Sequence, residues 1–104
     1  MNTSSYDGAV LHVSTITNGT LSNVAGFTLL VAIKNALADT QATVVIDFAG
    51  VIAFSSSFLN SSLGALCEEM GTDSLRRLRL AGCTPAVLKQ LRDYIADVRE
   101  MHSN

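Results

Sequence analysis

Tryptophan is absent from the 104 residues, proline occurs once, at Pro85, and cysteine twice, at Cys67 and Cys83. The cysteines form no Cys-x-x-Cys pair, and His12 and His102 are the only histidines. No metal-ligating constellation arises from such a set, so neither a metal nor another cofactor is expected. Two unpaired, mostly buried thiols suit a reducing compartment, which for this chain is expected to be the cytoplasm. Charge is also scarce: 15% of residues are charged and the net charge is −2. Without a broad basic surface, nucleic acid is not an expected partner. No apolar run approaches the roughly 18 residues that a membrane span needs. The opening "MNTSSYDGAV" has no basic segment followed by an apolar core and does not read as a signal peptide.

What the chain has instead is oil. Apolar residues make up 48% and the mean hydropathy is +0.34, the profile of a globular protein rather than a disordered one. The length suits one domain, residues 1–104, with one core. "AVLHVSTI", residues 9–16, reads as a strand with Leu11 and Val13 inward and His12 towards solvent. Asn18-Gly19 marks a turn, and a short second strand is expected near Thr20 and Leu21. Ser22 or Asn23 then caps a helix over about 23–38, whose stripe of Ala25, Leu29, Ala32, Ile33, Ala36 and Leu37 is core. Its other side carries Phe27, Leu30 and Val31, more apolar than a solvated face requires.

"TVVIDF", residues 43–48, is apolar without alternation, as in a central strand covered on both faces. "VIAF", 51–54, is a second short buried piece. The period then becomes helical over about 57–70, with Leu59, Ser62, Leu63, Leu66 and Met70 on one face and Gly71 as the stop. "LRRLRL" alternates as a strand with Arg77 and Arg79 on its solvated face. Pro85 opens a last helix over about 86–98, burying Val87, Leu88, Leu91, Ile95 and Val98. The order predicts an α/β fold: a small mixed sheet of about four strands with three or more helices, and strand 44–48 in its interior.

Few groups are available for catalysis. No Gly-x-Ser-x-Gly elbow and no phosphate loop is present, Asp47 has no second carboxylate near it in sequence, and Glu68-Glu69 diverge on a helix surface. The chain is not expected to be an enzyme. Ser55, Ser56 and Ser57 remain, three hydroxyls where capping needs one. A helix N-terminus favours either a hydroxyl cap or an added phosphate. Of the three, Ser57 reads as the cap and Ser56 as the exposed hydroxyl.

Through these residues the chain resembles the STAS fold, the domain of anti-sigma factor antagonists and of sulfate transporter tails. In that family a buried strand ends in Asp, a hydrophobic-Ser-Gly-Val turn follows, and Asp-Ser-Ser-Gly opens a helix. The segment "IDFAGVIAFSSSFLNSSLGAL" keeps Asp47, Gly50, Val51 and the serine-opened helix, with Ser55 in place of the family's Asp and Phe58 in place of its Gly. That form is most similar to the STAS-like family of unknown function. The resemblance implies a non-enzymatic regulatory module that docks a protein partner such as a histidine-kinase-like ATPase or another signalling protein. It implies a phosphorylation candidate at Ser56 and a docking surface of Asp47, Ser55, Ser56, Ser57 and Phe58. The residues themselves leave two alternatives open: a structural subunit that forms homo-oligomers, and a small anion-binding domain or enzyme.

Overall fold

The computed structural model describes residues 9–18 and 21–102. Strand β1 (Val10–His12) is followed by a single helical turn, α1 (Val13–Ile16), and by the long helix α2 (Asn23–Asp39). Strand β2 (Val44–Asp47) leads to α3 (Ser56–Leu59), which runs through a π-helical stretch, Asn60–Gly64, into α4 (Ala65–Met70). A 3-10 helix (Thr72–Arg77), strand β3 (Leu78–Ala81) and helix α5 (Pro85–His102) complete the order.

The fold is α/β, and β2 is the interior strand. The sheet differs from the expected one in two respects: it has three strands among the described residues, in the order β1-β2-β3, and both pairings are parallel rather than mixed. Each strand-to-strand connection contains a helix, and such crossovers join parallel neighbours. The strand expected near Thr20 and Leu21 falls partly outside the described residues, and Leu21 is in no strand. The first strand is shorter than its apolar run because Thr17 turns the chain back, its N–H and hydroxyl donating to the Val13 carbonyl at 2.9 and 2.8 Å. Residues 51–54 form no strand; the Val51 N–H closes a turn on the Phe48 carbonyl at 2.9 Å. The third strand starts at Leu78, later than its alternation suggests. The preceding segment coils as a 3-10 helix in which the Ser74 hydroxyl donates to the Gly71 carbonyl at 2.7 Å.

Both crossovers run in the same direction along the sheet, and crossovers of the usual right hand then place their helices on one face. Burial follows: in β2, Val44 and Ile46 are buried, whereas Val45 and Asp47 are half-buried. On that second face Val45 lies beside Val10 and Arg79, the latter exposed. The central strand is therefore covered fully on one face, not on both. The core is built from Leu29, Ile33 and Leu37 of α2, Val44 and Ile46 of β2, Phe58, Leu63 and Leu66 of the middle helix, and Val87 and Leu91 of α5.

Helices α2 and α3 approach closely at Gly26. A Cβ there would collide with Ser61 Oγ and lie 2.6 Å from the Phe58 carbonyl oxygen. Ser61 Oγ is within 2.9 Å of both the Ser57 and the Asn23 carbonyl oxygens, and Ser62 Oγ donates to the Phe58 carbonyl at 2.7 Å. Serine hydroxyls bonded to carbonyls one turn back compete with the backbone ladder, and the helix widens to π geometry over this stretch. Further along, Lys34 of α2 pairs with Glu69 of α4. Gly71, with φ +83°, ends α4 as its sequence position predicts. Arg77, expected on a solvated strand face, turns inward instead. Its guanidinium donates to the carbonyls of Leu37, Thr40 and Ala42, where the C-terminal end of α2 leaves backbone acceptors open.

Candidate functional site

Parallel strands all end at one edge of the sheet, and ligand or partner sites of open α/β folds gather outside those carboxyl ends. Here the edge carries His12, Asp47 and Ala81, which the register sets side by side. Asp47 Oδ1 accepts the Ala49 N–H at 2.9 Å, so the strand-ending carboxylate holds its own turn, as expected from its position. Its other oxygen, Oδ2, lies 3.2 Å from His12 Nδ1, an ion pair whenever the imidazole is protonated. The third strand closes in through Gly82, whose φ is +69° and where a Cβ would meet Asp47 Oδ1 and, at 2.7 Å, the Ala49 nitrogen. Glycine is needed there on both counts.

Beyond Asp47 the chain passes over the core. Phe54 lies between Phe48 and Phe58, with ring centroids 6.0 and 5.7 Å away, and its carbonyl accepts from Gln90 of α5. This anchors the loop from both ends and leaves Ile52 at its crest, 81% exposed. The serine-opened helix follows. Ser55 is the cap: its backbone is extended and its Oγ accepts the Phe58 N–H at 3.2 Å. The cap expected at Ser57 is thus two residues earlier, because the helix starts at Ser56 and a hydroxyl reaches forward to the third amide beyond it. Ser56 and Ser57 are both exposed, and neither side chain makes a hydrogen bond among the described residues. Phe58, expected on the docking surface, is fully buried under the loop and belongs to the core.

The bond from Ser61 to both Ser57 and Asn23 carbonyls sets the first turn of α2 beside this helix mouth. From there Val24, Phe27 and Val31 run along the outer side of α2, 72, 51 and 56% exposed. Leu30, which the sequence groups with Phe27 and Val31, is buried. Spacings of three and four residues put the exposed three on one stripe of a 3.6-residue helix. The described surface thus carries two free hydroxyls at the helix mouth and, along the outer side of α2, a stripe of three apolar residues, with Ile52 as a further exposed apolar residue on the connection before the serines.

His12 is the residue that sequence reasoning missed. It is more than half exposed, as expected, but the parallel register makes it Asp47's neighbour. Alternation within one strand carries no information on that register. The pair offers little chemistry. No hydroxyl or thiol bonds to the imidazole among the described residues, and the Cys83 thiol, beyond the end of β3, is pushed up in pKa by burial and then by Asp47. A raised pKa suppresses the nucleophilic thiolate. Among the described residues no three His, Cys, Asp or Glu side chains gather as metal ligands, and no helix is long and apolar enough to cross a membrane.

A family model described as a STAS-like domain of unknown function matches residues 26–88. No curated protein and no solved structure matches the chain.

Proposed function

The chain belongs to the family of STAS-like domains of unknown function, and on that premise we propose that it is a non-enzymatic regulatory module that docks a protein partner. The observation that carries this reading is the exposed stripe of Val24, Phe27 and Val31 along the outer side of α2. Large apolar side chains that serve no core, contiguous along one helix, mark surfaces that lose free energy to water until a partner covers them. An aromatic residue such as Phe27 at the centre of such a stripe is the kind of side chain that dominates interface energetics. The partner is a protein of the signalling class, with a histidine-kinase-like ATPase as the first one to try, since the resemblance to the anti-sigma factor antagonists points there.

Ser56 is the proposed point of control. Its hydroxyl has no structural duty, unlike those of Ser55, Ser61 and Ser62, and it occupies the first residue of the helix. A phosphate there would lie near the free first-turn amides, which favour a dianion, so the fold would tolerate it. A partner that spans the α2 stripe and the helix mouth would have to desolvate the new charge and would bind more weakly.

The test pairs two variants. Phe27→Ala is expected to keep the melting temperature and lower affinity for the ATPase about tenfold or more. Ser56→Asp is expected to weaken it by about 1–3 kcal/mol. Incubation with the ATPase, ATP and magnesium, followed by mass measurement, reads the modification directly. Wild-type protein that binds no ATPase but self-associates with concentration, and loses this with Phe27→Ala, assigns the stripe to a homo-oligomer instead.

A further inference from the structure

A second surface lies away from the serines, where α5 runs beside the π-helical stretch and α4. The two elements leave an open groove of about 500 Å³ between them. Its floor is apolar, made by Ala65, Val98 and the stem of Met101. At one end Tyr94 lies across the π-helical turn. A Cβ on Gly64 would collide with the tyrosine hydroxyl, so the glycine makes room for it, and that hydroxyl donates to Asn60 Oδ1 at 2.8 Å. The groove is also lined by two carboxylates, Glu68 on α4 and Asp97 on α5. Neither makes an ion pair or a hydrogen bond among the described residues, although Glu69, Asp73 and Asp93 each face a lysine or arginine. No lysine or arginine lines the groove.

Glu68 and Asp97 are exposed and hydrated, and their two negative charges on one groove attract a cation that enters it. Tyr94 registers the field: its pKa is raised by burial first, and also by Cys67 and Glu68. We propose that this groove is a docking site for an arginine side chain carried on a protein partner. The chemistry matches part by part. An aliphatic stem lies on Ala65, Val98 and Met101, and a planar guanidinium with five fixed donors reaches Glu68, Asp97 and the remaining lone pair of Asn60 Oδ1. A lysine ammonium satisfies fewer of these acceptors at once and remains more strongly hydrated. The groove is open, and the exposed Met101 extends its apolar floor outward, which suits a side chain entering from a folded or extended segment. The proposal adds a second surface to the interaction module and does not involve Phe27 or Ser56.

The probe is acetyl-leucyl-arginyl-leucine amide, with its neutral citrulline counterpart as control, titrated into the isotope-labelled full chain to about 5 mM, where a weak contact registers. The expected result is a set of amide shifts confined to residues 60–68 and 94–101 with the arginine peptide alone. They should be weakened about tenfold in Glu68→Gln/Asp97→Asn, which removes charge that pairs with nothing and should leave the melting temperature unchanged. Unperturbed binding in Phe27→Asp would separate this site from the α2 stripe. Equal shifts with the citrulline peptide would overturn the proposal, because the carboxylates would then play no part. Shifts spread over Asp39 and Glu100 as well would reduce it to general attraction of cations. Binding of free arginine but not of the capped peptide would assign the groove to a small molecule rather than a partner protein.

Discussion

Replacing Gly26 by alanine sets two well-calibrated effects against each other. In the first turn of α2 the substitution should help, since alanine is favoured over glycine in a helix by up to about 1 kcal/mol. The tertiary contact reverses this. The new methyl group would occupy the position of Ser61 Oγ and sit 2.6 Å from the Phe58 carbonyl oxygen. Carbon and oxygen do not approach that closely without cost, and Phe58 cannot yield, being fully buried with its carbonyl accepting from Ser62. Either α2 and α3 move apart or Ser61 gives up its bond to Asn23. Forcing a methyl group into a packed contact costs about 1–3 kcal/mol, and the lost hydrogen bond about 1 more. Set against the helical gain, the net loss is about 1–3 kcal/mol. For a domain of this size that lowers the melting temperature by about 5–20 °C. Urea unfolding of wild type, Gly26→Ala, Ser61→Ala and the double variant measures it. The pair should couple favourably by about 1 kcal/mol, since removing Ser61 Oγ vacates part of the space the methyl group needs. A Gly26→Ala variant more stable than wild type would refute the reasoning, for propensity would then outweigh the contact.

Capping gives the second prediction: Ser55→Ala should lower stability by about 1 kcal/mol, while Ser56→Ala and Ser57→Ala stay within about 0.5 of wild type, as read by urea midpoints. A larger effect at Ser57 would move the cap. The third concerns pH. Because burial and the Asp47 charge both hold the Cys83 thiol above its ordinary pKa of 9.0, iodoacetamide should modify it slowly at neutral pH and faster only as pH rises beyond that value. Asp47→Asn removes a negative charge, favours the thiolate and should speed alkylation at fixed pH; an unchanged or slower rate would dissociate the two groups.

Local pattern made much of this molecule legible before any coordinates. The apolar run of Val44–Asp47 and the stripes of Leu29, Ile33 and Leu37 and of Leu63 and Leu66 are periodic, and periodicity is a property of neighbouring residues. Gly71 and Pro85 stop and start their helices for reasons of backbone conformation alone. The helix mouth was equally readable, as three consecutive hydroxyls after a strand-ending Asp. Which serine caps it depended on where the helix began, and that followed from how Phe54 and Phe58 packed. Tertiary structure alone decided the remainder. Parallel register brought His12 to Asp47, the C-terminal end of α2 drew Arg77 inward, and Val45, on the second face of the sheet, was left half-covered. The groove with its two unpaired carboxylates arose from helices that meet only after folding, for no local rule relates Glu68 to Asp97. Backbone conformation and hydrophobic period act over a few residues and can be read in order along the chain. Register, crossing and charge pairing join residues far apart in sequence and exist only once the chain has closed on itself.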